Sequence, residues 1–269
     1  MGAALGVLCR YGTSAIATEN SYTAPNKKNE ALLSNMSDRE NLFRPIHKGI
    51  RSMLYMMGSQ LQTTNFGDVT ESNRFVAQLK HELGDSLSNC ILCLLRFHSG
   101  HEEKDIFSKM RAHDPDIVDL VMKEHGEVAR RIWSVTKTCD EILGLTEPAR
   151  RIEVGDRLYQ EVNDLFVLYL SHLNNEEDTL VPVMWERFTD QELRAMRAQF
   201  YNSLPHPLFE TWLRWTLPSL NEHELIVLFS GLKEDSGTTR FEVWERLAHE
   251  TLDSDQWLSL RERVGVDIV

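Results

Sequence analysis

Two short stretches organise this chain: His98-Ser99-Gly100-His101-Glu102-Glu103 and His172-Leu173-Asn174-Asn175-Glu176-Glu177. Both read His-x3-Glu-Glu, and both are followed at the same distance by an apolar pair, Ile106-Phe107 and Leu180-Val181. On a helix, residues i and i+4 project from one face, one turn apart. Each stretch therefore offers an imidazole and a carboxylate side by side, a donor set that suits first-row metals such as iron, manganese or zinc. Two polar helix faces pairing His with Glu in solvent would give the same local pattern. The repetition weighs against that alternative, because a lone His precedes each motif. His47 lies 51 residues before His98, and His125 lies 47 before His172. A near-equal internal repeat is read before any local signal. It predicts two helical hairpins, each giving one His from its first helix and His plus Glu from its second. Packed together they form an all-α, up-down four-helix bundle with ligands facing inward, as in di-iron carboxylate bundles.

The apolar periodicity outside the motifs fits such hairpins. Leu42, Ile46, Ile50, Met53, Leu54, Met57 and Leu61 recur at helical spacing, with His47 beside that face. Asn65-Phe66-Gly67-Asp68 is a turn. The pattern resumes at Phe75, Leu79, Leu83, Leu87, Ile91, Leu94 and Leu95 and runs on to Met110. Drawn as one helix, that run places His98 about 15 Å out of level with His47, at 1.5 Å rise per residue. A separate segment over residues 69–78, weakened by Asn73 and Gly84, removes the mismatch. A third helix opens at Asp114-Pro115-Asp116, carries His125 two turns in and closes at Gly144. A fourth, after Thr146-Glu147-Pro148, carries a dense apolar face to Leu170 and then His172, with Pro182 bending or ending it near Val181.

Within the first motif, His98 pairs with Glu102, and that register aligns the two stretches; His101 is an additional ligand or an outer partner. Cys90-Ile91-Leu92-Cys93 lies in an apolar helical run without a second pair, so it reads as packing rather than as a redox or zinc site. His81 and His113 read as solvated, and His206, His223 and His249 have no partner at metal spacing.

Composition bounds the rest. The chain has 269 residues and 42% hydrophobic content, ample for a buried core. A formal net charge of -12 argues against nucleic acid or an anionic membrane as main partner. Four cysteines form no dense framework, which points to a reducing, cytoplasmic setting. No apolar run is long enough to span a membrane. Residues 1–36 read as a polar tail or upstream extension outside the folded unit. Their apolar start lacks a preceding charge, and Gly6 stands where myristoylation needs Ser or Thr. Ser37 or Asp38 can cap a helix. The bundle is expected over residues 37–188 and a helical extension over 189–269. In the extension Thr189-Asp190 caps a helix to Tyr201, and Pro205-His206-Pro207 breaks it. A segment containing Trp212 and Trp215 runs to Pro218, and helices come next near 225–232, 241–252 and 257–264. Four of the six Trp lie here, so the region covers the bundle or presents an aromatic surface to a partner or a second copy of the chain.

Taken in order, His47, His98 with Glu102, His125, and His172 with Glu176 resemble the hemerythrin-like, HHE cation-binding domain family over about residues 40–188. The tail, with Trp212-Leu213-Arg214-Trp215 and Leu217-Pro218, is similar to the helical extension of some bacterial members. The resemblance implies a non-haem di-iron centre, with Glu102 and Glu176 able to bridge the metals. The chain departs from the oxygen carriers at Ala129, where they have a second third-helix His. Their fourth-helix carboxylate follows the His by five residues, so Glu177 competes with Glu176. The function expected is binding or sensing of a small ligand such as dioxygen, nitric oxide or iron itself. A di-metal oxidase or peroxidase, or a purely structural metal site, are the alternatives.

Overall fold

The structure is a computed structural model that describes residues 39–84, 106–235 and 238–265. Among these residues it is all helical, and Glu40–Val269 forms one compact unit. His98, His101, Glu102 and the Cys90/Cys93 pair lie outside the described residues, as does the polar tail with Ser37 and Asp38.

Helix α1 spans Arg44–Thr63 and buries the predicted face, from Ile46 and His47 to Leu61. It begins two residues after Leu42, where the periodicity starts, because Asn41 acts as the cap. Its side-chain oxygen accepts from the backbone N–H groups of Phe43 and Arg44 at 3.0 and 2.9 Å. Helix α2 spans Val69–Glu82, opened by the Asp68 side chain accepting from Glu71 N–H. It ends at Gly84, whose φ of 88° only glycine adopts readily. The long second helix drawn from periodicity is thus broken, later than residue 78. A short helix α3, Phe107–Arg111, precedes α4, Pro115–Gly144, which starts at the expected proline.

Helix α5, Pro148–Asn175, ends differently from the expectation built on Pro182. A π-helical turn, Glu176–Leu180, follows it, and helix α6 resumes over Val181–Arg187. Proline cannot donate, and its ring crowds the carbonyl four residues back. The wider turn moves that contact before Pro182 arrives: Val181 N–H bonds Glu176 O, five residues back. Thr179 Oγ1 also donates to Asn175 O. Pro182 then sits in the first turn of α6, where no N–H is needed.

Helix α7, Asp190–Ser203, opens with the capping box of Thr189 and Glu192. Helix α8, His206–Thr216, leads into a 3-10 turn, Leu217–Ser219. Helix α9, Glu222–Asp235, runs through Gly231 rather than stopping there. A Cβ at that position would lie 2.4 Å from Arg197 NH2, so glycine leaves the space that the Arg197 guanidinium occupies. Helices α10, Thr238–Thr251, and α11, Ser254–Val264, complete the chain.

Helix α1 packs against α2 and α5, and α4 packs against α2 and α5, so these four close a circuit of contacts. Helix α8 lies directly on α1. One hydrophobic core consequently runs from Ile50 and Leu165 to Trp212 and Trp244 without a break. Trp212 and Trp244 are buried and meet edge to face at 5.4 Å, with Tyr201, Phe209 and Phe229 around them. These rings of the extension therefore face inward. A second, smaller cluster gathers Phe43, Phe107, Met110, Val118, Val121, Leu180, Val181 and Met184.

Candidate metal centre

The seam between the two apolar clusters is where the histidines meet. On α1, His47 stands between Phe43 of the smaller cluster and Ile50 of the larger. On α4, His125 stands between Val121 and Val128, and at the end of α5 His172 stands between Tyr169 and Leu180. A polar layer closed off on both sides by hydrocarbon is shielded from water, so charges in it interact strongly. His47, His172 and Glu176 are 2, 2 and 3% exposed, and the His125 side chain is 20% exposed.

Glu176 is the hub of this layer. Its Oε2 lies 3.1 Å from His47 Nε2. Its Oε1 lies 3.2 Å from His125 Nε2 and 3.4 Å from His172 Nε2. Three imidazoles thus turn the same ring nitrogen to one carboxylate, one on the first oxygen and two on the second. The donor atoms of His125, His172 and Glu176 all lie within 4.8 Å of one another, and the first two rings meet edge to face at 4.7 Å.

Behind the histidines stand two more carboxylates. His47 Nδ1 is 2.9 Å from Glu177 Oε1, and that oxygen also accepts from Arg51 NH1 at 2.6 Å. Arg51 NH2 is fixed on Asn174 Oδ1 at 2.9 Å. His172 Nδ1 is 3.0 Å from Glu124 Oε2, and Asn175 Nδ2 donates to Glu124 Oε1 at 2.8 Å.

These contacts set the protonation tendencies. Burial pushes the Glu176 carboxyl up, but hydrogen bonds from His125 and His47 and the charges of His47 and His172 outweigh it and hold it well below the usual carboxylate range. Burial pushes His47 down, but hydrogen bonds to Glu176 and Glu177 and their charges outweigh it, so its value lies above the ordinary one for imidazole. Glu177 is likewise held low against its burial, by His47 and Arg51.

His47, His125, His172 and Glu176 are therefore brought together. Glu176 and Glu177, which competed in the sequence, take different places: the first faces three imidazoles, the second supports His47 from outside. The periodicity did not single out Glu124, Asn175 or Arg51. The available signals were small: Glu124 directly precedes His125, and Arg51 follows His47 by one turn. His81, His113, His206 and His249 are exposed.

The donor chemistry fits a metal. If Nδ1–H of His47 donates to Glu177 and Nδ1–H of His172 donates to Glu124, each neutral ring presents a lone pair at Nε2. Both lone pairs face oxygens of Glu176, and two lone pairs repel. Something positive must lie between them, either protons on the rings or a cation bound by rings and carboxylate together.

No family model, no curated protein and no solved structure matches this chain.

Proposed function

We propose that this protein is a hemerythrin-like metal-binding protein holding a non-haem di-iron centre that binds or senses a small ligand such as dioxygen or nitric oxide. The closed circuit of α1, α2, α4 and α5 supports a four-helix bundle as the scaffold. The observation that carries the reading is the convergence of three imidazole Nε2 atoms on the buried Glu176 carboxylate. His47, His125, His172 and Glu176 are the proposed ligands. His98 and Glu102, outside the described residues, would complete the first half of the repeat, which begins at His47. With one imidazole at Oε2 and two at Oε1, Glu176 would offer one oxygen beside His47 and the other beside His125 and His172 if metal were bound. Once bound, the metal supplies an open coordination position for the small ligand. The side chains bind it, exclude water through the two apolar clusters, and leave His125 as the most accessible edge. Imidazole and carboxylate donors also admit manganese or zinc.

Metal analysis of the purified protein tests the reading. About two irons per chain are expected in the parent, and a strongly reduced content in His47→Ala, His172→Ala and Glu176→Ala variants that keep parental helicity. Anaerobic reduction followed by air, watched by absorption, should give a stable oxygenated spectrum. Parental metal content in all three variants would refute the site. Rapid turnover of peroxide would favour an oxidase or peroxidase, and no spectral change a structural metal.

A further inference from the structure

The two carboxylates behind the histidines are alike in exposure and unlike in partners. Side-chain exposure is 20% for Glu124 and 22% for Glu177. Each holds the Nδ1 of one buried imidazole, at 3.0 and 2.9 Å. Glu177, however, shares its Oε1 with the Arg51 guanidinium. The second contact of Glu124 is the neutral amide of Asn175. Solvent cannot account for a difference between them; the neighbouring cation can.

We propose that Glu124 and Glu177 are positioning residues that fix His172 and His47 with Nε2 turned to the centre, and that Arg51, by pairing with Glu177 alone, makes His47 the weaker donor of the two. The inference rests on the metal-binding reading above. A carboxylate accepting from Nδ1–H pins the tautomer and pushes electron density to the far nitrogen, strengthening it as a ligand. Arg51 draws part of that charge from Glu177, so the push reaching His47 is smaller. Among the described residues no cation contacts Glu124, so there the push on His172 is not drawn off. The centre is therefore unequal at its two sides: the His125/His172 side binds a cation more tightly than the His47 side. Asn174 and Asn175, adjacent in sequence, hold the two devices from opposite flanks, since one anchors Arg51 and the other Glu124.

Titration of the parent and of Glu124→Gln, Glu177→Gln and Arg51→Met with Zn(II) against a coloured chelator tests this. Glu124→Gln should weaken the tighter step on the order of 10–100-fold, as loss of an outer partner does. Glu177→Gln should weaken the looser step by less, and Arg51→Met should tighten that step several-fold. Nitrogen-15 spectra of the Zn(II)-loaded parent should show protons on Nδ1 of His47 and His172 and none on Nε2, the nitrogen turned to Glu176. In the matching Gln variant that Nδ1–H signal should move, as its carboxylate acceptor is lost. A Zn(II)-loaded parent with protons on Nε2 would overturn the inference, and so would variants that lose thermal stability while keeping parental affinities. Failure of the parent to bind Zn(II) would sink the metal-binding reading itself, whereas Zn(II) binding with parental affinities in all variants sinks the positioning inference alone.

Discussion

Arg151 is fully buried, and no carboxylate contacts it among the described residues. It lies at the start of α5, and its guanidinium instead collects neutral acceptors from two places. NH1 donates to Ile142 O and Leu145 O, both at 2.7 Å, at the C-terminal end of α4. NH2 donates to Ser72 Oγ at 2.5 Å and Asn73 Oδ1 at 2.8 Å on α2. The carbonyls at a helix C-terminus carry the negative end of its dipole, and this stands in for a counter-ion. Consider Arg151→Met, which keeps the stem and removes the donors. Relief from burying a charge favours the variant. Against it, Ile142 O, Leu145 O and Asn73 Oδ1 lose their donor in a place water reaches poorly. Ser72 Oγ keeps a role by donating to Asp68 O. At about 1–3 kcal/mol for each stranded buried acceptor, the loss is about 3–5 kcal/mol once the relief is allowed for. That corresponds to a fall of roughly 10–15 °C in melting temperature for a unit of this size. Urea unfolding followed by circular dichroism measures it. Arg151→Lys should fall between, since one ammonium cannot span α2 and α4 together. The metal content of the folded variant should equal the parent's. Arg151 and His172 are 21 residues apart on one helix, about 30 Å along its axis. A loss below about 1 kcal/mol would refute the claim that this cation ties α2, α4 and α5 together.

Three further outcomes are expected. In Gly155→Ala the new Cβ would meet Phe66 Cγ at 2.3 Å and Phe66 Cβ at 2.6 Å. Overpacking of about 1–3 kcal/mol should exceed the gain in helix propensity of about 1 kcal/mol, and Phe66→Leu in the same chain should restore stability, both read by thermal melts. Glu40 joins Arg197 NH1 through both carboxylate oxygens, at 2.6 and 2.7 Å, and its carbonyl accepts from Trp185 Nε1. Arg197 is buried and the Glu40 side chain is only 10% exposed, so Glu40→Ala leaves a buried cation without this carboxylate and should cost about 3 kcal/mol in urea unfolding. The metal-free protein should be most stable between about pH 4.5 and 6.5 as far as the central layer decides it. Glu176 and Glu177 sit below their ordinary 4.5, so their contribution is present above that pH and is lost as pH falls through the lowered values. His47 sits above its ordinary 6.5, so its contribution is present below that pH and is lost as pH rises through the raised value. Unfolding midpoints from pH 2 to 9 should show both limbs, and His47→Gln should flatten the alkaline one.

The sequence by itself determined what hydrogen bonds within a few residues can determine. Helical spacing marked α1, α4 and α5. Pro115 and Pro148 marked starts, and Thr189 with Glu192 marked a cap. The doubled His…His-x3-Glu order selected His47, His125, His172 and Glu176 before any helix was placed. These signals are local because a helical bond joins residues four apart. Only the tertiary structure gave Glu176 and Glu177 different places, the first facing three imidazoles and the second behind His47. That separation depends on how the π turn rotates one helix end and on where α1 stands across from it. It alone paired His172 with Glu124 across 48 residues and stationed Arg151 under α2. It also turned Trp212 and Trp244 inward, where composition left an outward aromatic surface as the alternative to a cap on the bundle. Periodicity states which face of a helix is apolar, but the rotation and level of one helix against another come from the packing of whole faces, and no single stretch encodes that.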